Sequence, residues 1–215
     1  MRATFAKSNF SASELNYIYS KLEEIFGKDN VLFIGGRAVN LLCEKNQRPT
    51  HDIDVAVFVP KDKVIDIRRK AIDNGFVILK EKGGKVTSVE IMTPENKPMQ
   101  IDLYYDRPIS GIPISYLFET SIEIEKFKSN KTYRFRVVNP GVLLVLKYFA
   151  YNEADKDNKE KHLNDINSLL YTYGGIDNFF SKFGNVIKNL FSEENYELFK
   201  RNIKNIVFSE MLRDR

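Results

Sequence analysis

The chain has 215 residues, 43% of them hydrophobic, with 16 Phe and 11 Tyr. That is enough apolar material for a packed core, which excludes wholesale disorder. Its formal charge of +4 permits a polyanionic partner without requiring one, and its single cysteine, Cys43, rules out an intrachain disulfide.

Ser11 and Glu14 form the signature of a capping box. They open a helix through Leu15, Ile18, Leu22 and Phe26 that Gly27 is placed to stop. Val31 to Ile34 reads as a short buried strand ended by Gly35-Gly36, and a helical pattern resumes from Arg37 to Cys43. Asp52 to Val59 is a strand closed by Pro60, and Lys61 to Asn74 an amphipathic helix stopped by Gly75. Strands are expected at 76–80, 85–92 and 99–105, with Gly83-Gly84 as a hairpin turn. The segment from Pro108 to Thr132 has weaker patterning. Two short strands, 122–127 and 133–138, are expected around Ser129-Asn130-Lys131. Asn139-Pro140 then starts a helix, with Asn as cap and Pro in the first turn. Helices follow at 140–153, 160–173, 176–190 and 193–212.

This order predicts a mixed α/β domain over 1–138, with a mixed central sheet flanked by helices, and a helical bundle over 139–215 packed against it. No run approaches the roughly 18 apolar residues of a membrane span, and the N-terminus has no apolar signal region. A reducing cytoplasm is the expected setting.

The chemistry centres on Asp52-Ile53-Asp54. Residues two apart on a strand share a face, so two carboxylates stand together while Ile53 points to the other side. Such a pair repels unless something neutralises it, and magnesium, which prefers hard oxygen ligands, does so. Alone, the motif reads more readily as a solvated strand edge, or as one Asp capping a neighbouring loop. Asp102, again between apolar residues in a strand, supplies a third carboxylate. If its strand lies beside the first, the three can hold two magnesium ions for in-line displacement at phosphorus. Its alternative is an ion pair with a nearby cation. Gly35-Gly36, between strand and helix, offers backbone N–H groups and close approach to a phosphate, with Arg37 next to them.

The order of strand, Gly-Gly, helix, Asp-x-Asp and later Asp resembles the nucleotidyltransferase fold of the DNA polymerase β superfamily. Gly35-Gly36-Arg37-Ala38-Val39 and Arg48-Pro49-Thr50-His51-Asp52-Ile53-Asp54 look most like the AbiEii-type toxin branch, which reads Gly-Gly-x-Ala-Leu and then Arg-x-Thr-x-Asp-hydrophobic-Asp. Arg48 and Thr50 fall on matching positions. Residues 140–150 (PGVLLVLKYFA) are similar to the family's lysine-bearing helix, here Lys147. Lys161 and Asp165 match its Lys-Asp-x-x-Asp element, with His162 where the family often has Asp.

The resemblance implies metal binding by Asp52, Asp54 and Asp102, with Lys147 and Asp165 completing the catalytic set. It implies nucleotide binding by Gly35, Gly36, Arg37, Arg48, Thr50, Lys147 and Lys161. The cofactors would be two Mg2+ ions and the substrate a nucleoside triphosphate such as ATP. The acceptor would be a tRNA 3′ end or a protein hydroxyl, and the partner an antitoxin. From the residues alone, Lys147 also reads as an exposed helix lysine, and Asp165 as an i,i+4 partner of Lys161. His51 and His162 read as surface residues. Tyr104 and Tyr105 either stack on a base or pack in the core and at its rim, and the basic stretch from Lys126 to Arg136 reads as a solvated face. A binding module without catalysis is the rival to an enzyme, and no feature selects an aminoglycoside pocket.

Overall fold

A computed structural model describes residues 11–43, 50, 52–59, 64–82, 85–105, 107–128 and 130–211. The chain forms two compact units, one of Met1–Leu41 with Gln47–Val138, the other of Leu42–Asn46 with Asn139–Arg215.

The first unit is built on a seven-stranded mixed sheet in the order β3-β4-β5-β2-β1-β7-β6. Its strands are β1 (Val31–Phe33), β2 (Asp52–Val57), β3 (Val77–Lys82), β4 (Lys85–Met92), β5 (Pro98–Tyr104), β6 (Ile122–Lys128) and β7 (Lys131–Val137). The helices are α1 (Ala12–Phe26), α2 (Gly35–Leu42), α3 (Val64–Asp73) and α4 (Ile114–Thr120). Each expected strand has its counterpart. The alternation along β2 and β5 explains the burial: Ile53, Val55, Ile101 and Leu103 are buried, while Asp52, Asp54 and Asp102 on the other face keep partial access. Ile18, Leu22, Phe33 and Phe135 lie at the centre of the core around α1, and the rings of Tyr19, Phe33 and Phe135 meet at centroid distances of 5.3 to 5.9 Å.

The capping box at the start of α1 is formed in both directions: Ser11 Oγ accepts from the Glu14 N–H at 3.2 Å, and Glu14 accepts from the Ser11 N–H at 2.8 Å. Glu14 also takes the Lys97 ammonium at 2.9 Å, which ties α1 to the β4–β5 turn. Gly83-Gly84 lies outside the described residues, but Lys82 and Lys85 on either side pair in an antiparallel ladder. The β6–β7 hairpin turns through Asn130, whose φ of 60° is one that Asn tolerates.

Helix α4 was not expected. At seven residues it is too short for the 3.6 period to show, and Pro113 precedes it without a side-chain cap. It matters for the basic stretch. Arg136 donates to Ser121 Oγ and to the backbone oxygens of Phe118 and Asp29, and Arg134 pairs with Glu125 at 2.8 Å. These two guanidiniums brace the unit's own edge.

The second unit holds α5 (Pro140–Glu153), α6 (Lys156–Thr172), α7 (Ile176–Lys188) and α8 (Glu193–Met211). Helix α6 begins four residues before the expected 160, because Asp155 caps it by accepting from the Asn158 N–H at 3.0 Å. The polar run after Asp155 hid that turn from hydrophobic periodicity. Helix α5 is buried from Pro140 to Lys147, and a Cβ at Gly141 would stand 2.9 Å from Phe183 Cβ, so glycine sets the approach of α7. No helix among the described residues is long and apolar enough to cross a membrane.

Candidate active site

The site is assembled by the pairing of β2 with β5. The two strands run parallel, with Asp52 opposite Gln100 and Asp54 opposite Asp102. Residues opposite each other in a ladder share a face, so the two carboxylates of Asp54 and Asp102 are lateral neighbours, with Asp52 two residues along. The adjacency that the sequence analysis left conditional is present.

Strand β1 lies on the other side of β2, with Phe33 opposite Val55, and the Ile34 N–H donates to the Asp54 backbone oxygen at 3.0 Å. The chain then turns through Gly35 at φ 63° into α2, whose first turn closes where the Ala38 N–H reaches the Ile34 oxygen. A Cβ at Gly35 would overlap the Asp54 carboxylate, with Asp54 Cγ at 2.6 Å and its Cβ at 2.8 Å. Glycine is required twice here, by the left-handed backbone and by the space that Asp54 fills. The N–H groups of a helix's first turn have no intrahelical partner and carry the positive end of the helix dipole. The N-terminus of α2 is thus set beside Asp54.

Two hydrogen bonds hold the carboxylates in place. Tyr104 donates its hydroxyl to Asp54 Oδ1 at 3.3 Å, and Gln100 donates from its amide nitrogen to Asp102 Oδ1 at 3.2 Å. Partial burial and then the Asp54 charge push the Tyr104 phenol well above its ordinary pKa, so it stays a donor across the physiological range. Neither contact was foreseen. The two-residue alternation puts Gln100, Asp102 and Tyr104 on one face, but their partners depend on the register between β5 and β2.

These hard oxygen donors suit magnesium. Among the described residues no three His, Cys, Asp or Glu side chains come close enough to hold an ion by themselves. Magnesium is usually held by one or two carboxylates together with substrate phosphates and water, and a face of Asp52, Asp54 and Asp102 fits that mode.

The other candidates divide. Arg37 is buried in α2 and is not a surface residue. Thr50 is 3% exposed, and its hydroxyl has no hydrogen-bond partner among the described residues. Arg48 and His51 lie outside the described residues. In the second unit, Lys147 is buried and its ammonium meets Asp165 Oδ2 at 2.7 Å. Lys147 is therefore not the exposed helix lysine that its sequence also allowed. Lys161 is exposed, and His162 is half-buried one residue after it.

A protein-family model described as "Nucleotidyl transferase AbiEii toxin, Type IV TA system" matches residues 17–214. No curated protein matches the sequence significantly. Among solved structures, an antigenic nucleotidyltransferase-like protein from Paracoccidioides brasiliensis is similar over 90% of this chain and 95% of its own, at 14% identity and a TM-score of 0.52. The lincosamide antibiotic adenylyltransferase LnuA in its lincomycin-bound form is similar over 75% of this chain and 98% of its own, at 18% identity and a TM-score of 0.45. ANT(2")-Ia in complex with adenylyl-2"-tobramycin is similar over 90% and 98%, at 13% identity and a TM-score of 0.48.

Proposed function

The chain belongs to the AbiEii family of nucleotidyl transferase toxins, and we propose that it moves a nucleoside monophosphate from a nucleoside triphosphate such as ATP to the 3′ end of an RNA, a tRNA being the expected acceptor. It is a nucleotidyltransferase, and the same reading gives it magnesium as cofactor and an antitoxin as partner. The observation that carries it is the lateral pairing of Asp54 with Asp102 beside the Gly35 end of α2. That arrangement supports a carboxylate pair next to an anion-binding helix terminus, which is what phosphoryl chemistry needs.

In the proposed reaction the acceptor hydroxyl oxygen forms a bond to the α-phosphorus. The bond from that phosphorus to the bridging oxygen breaks, and pyrophosphate leaves. The hydroxyl proton passes to the carboxylate side of the site at Asp102. Magnesium on Asp52, Asp54 and Asp102 would lower the pKa of that hydroxyl and neutralise charge growing on the leaving group. The first turn of α2, through Gly35, Gly36 and Arg37, would receive triphosphate oxygens. Tyr104 and Gln100 keep Asp54 and Asp102 in one orientation while the substrates bind. On the family's motif, Arg48, Thr50 and Lys161 belong to the nucleotide site. Lys147 is the point charge for the triphosphate and Asp165 the group that orients it.

The test is incubation of the full chain with α-labelled nucleoside triphosphates, magnesium, and separate pools of RNA and protein. Label on RNA that disappears with EDTA and with Asp54→Asn supports the reading. Label on protein alone rejects the RNA acceptor, and label that survives Asp54→Asn and Asp102→Asn rejects the metal site.

A further inference from the structure

Beyond Asp102, towards β4 and β3, the carboxylate face opens into a cleft of about 800 Å³ that the transfer chemistry leaves unused. Its walls include Lys80 and Lys82 of β3, Ser88 of β4 and Arg107 just past β5, with Asp102 at one end. Among the described lining residues Asp102 is the one acid, beside three cations. Glu81, the acid between the two lysines in sequence, is taken by Arg68 at 3.5 Å. These cations put positive charge on the β3 wall and just past β5, alongside the carboxylates of Asp52, Asp54 and Asp102 that bear on Tyr104.

Ser88 is the sharper observation. It pairs across the ladder with Asp102, so both stand on the same face of neighbouring strands. It is 4% exposed, and its hydroxyl has no hydrogen-bond partner among the described residues. A buried hydroxyl without a partner is costly and rare in a folded protein. A polar group of a ligand in the cleft would supply that partner.

We propose that this cleft is the acceptor subsite and that it takes the single-stranded end of a nucleic acid, a reading that rests on nucleotidyl transfer as the activity. Lys80, Lys82 and Arg107 meet phosphates upstream of the attacking hydroxyl. Ser88 hydrogen-bonds the terminal sugar next to Asp102. Three cations on a concave wall favour a polyanion over a polycationic acceptor. The exposed ring of Tyr104 and the apolar Ile109 also line the cleft. An apolar and aromatic surface beside a cationic wall is how single strands are held without sequence readout.

The experiment uses the full chain and a fluorescein-labelled ten-nucleotide single-stranded RNA with a free 3′ hydroxyl, with binding read by anisotropy across a salt series. A fluorescent ATP analogue with magnesium reports nucleotide binding in parallel. The Lys80→Ala/Lys82→Ala/Arg107→Ala variant should bind RNA at least tenfold more weakly. Its plot of log affinity against log salt should lose about 2 units of slope, since each phosphate contact on a single strand contributes about 0.7. Nucleotide binding should be unchanged. Ser88→Ala should keep the melting temperature and lower transfer to the RNA several-fold. The proposal is overturned if the triple variant binds RNA with the affinity and salt slope of the parent while nucleotide binding is intact, or if label passes to protein and not to RNA. Absence of nucleotide binding by the parent chain would instead sink the nucleotidyl-transfer reading, and the cleft assignment with it.

Discussion

Gly35 and Asp54 occupy each other's space: the site a side chain at Gly35 would need is filled by the Asp54 carboxylate. The glycine that starts α2 and the aspartate in the middle of β2 are therefore one device. Gly35→Ala should displace Asp54 and strain a backbone held at φ 63°, at a conformational cost of roughly 1–2 kcal/mol. The expected outcome is a melting temperature lower by a few degrees and a loss of transfer of about a hundredfold or more. Thermal melts and label transfer measured on the same preparation check whether the loss exceeds what partial unfolding explains.

Tyr104→Phe keeps the ring and removes the donor to Asp54. Groups that orient metal-binding carboxylates typically cost about 10–100-fold in metal affinity or activity when removed. A drop towards the lower end of that range is expected, with thermal stability unchanged and a higher magnesium concentration for half-maximal rate. A variant indistinguishable from the parent in its magnesium titration would show that the hydroxyl does not position Asp54.

The Lys147–Asp165 pair is buried on both sides, with side-chain exposures of 7% and 1%. Removing one partner of such a pair strands the other charge, at a cost of about 3–5 kcal/mol, whereas replacing both with apolar groups is often neutral. Asp165→Leu, which leaves the buried Lys147 ammonium without its carboxylate, should therefore lower the melting temperature by roughly 10 °C, and Lys147→Met/Asp165→Leu should restore most of it. If Lys147 serves the triphosphate, the double variant regains stability and stays inactive. Recovery of activity along with stability would make the pair purely structural.

Glu14 carries a pH dependence. Burial raises its pKa, but the Ser11 backbone N–H and the Lys97 ammonium outweigh that and hold the carboxyl below its ordinary value. A depressed folded value means the stabilisation is complete above the unfolded carboxylate range and fades as pH falls through the folded value. Glu14→Gln should be less stable than the parent at pH 7, by about 1 kcal/mol on the scale of a lost cap. The gap should narrow as pH falls through and below the ordinary carboxylate range. Melting curves at several pH values check this, and a constant gap would assign the effect to packing.

The secondary structure was largely legible because β5 alternates strictly, β2 is rich in Ile and Val, and the long helices carry caps such as Ser11 and Asn139. Helix α4 and the first turn of α6 were not, since the one is seven residues long and the other is polar throughout. Asp52 and Asp54 announced a shared face by spacing alone. Their relation to Asp102 could only be conditional, because parallel pairing of β2 with β5 is a tertiary event with α3, β3 and β4 intervening. The burial of Lys147 was equally hidden. A lysine in an apolar helix looks the same in sequence whether it is exposed or meets Asp165 from another helix.

The parallel pairing of β2 with β5 also sets when the protein becomes competent. During synthesis, Asp52 and Asp54 emerge from the ribosome with no lateral carboxylate, and they gain one only after Pro98–Tyr104 has been made and has docked past the β3–β4 hairpin. An arrested or truncated chain ending before that point holds the Asp-x-Asp motif and none of the paired site. If the carboxylate pair carries the transfer, every such unfinished copy is inactive by topology alone.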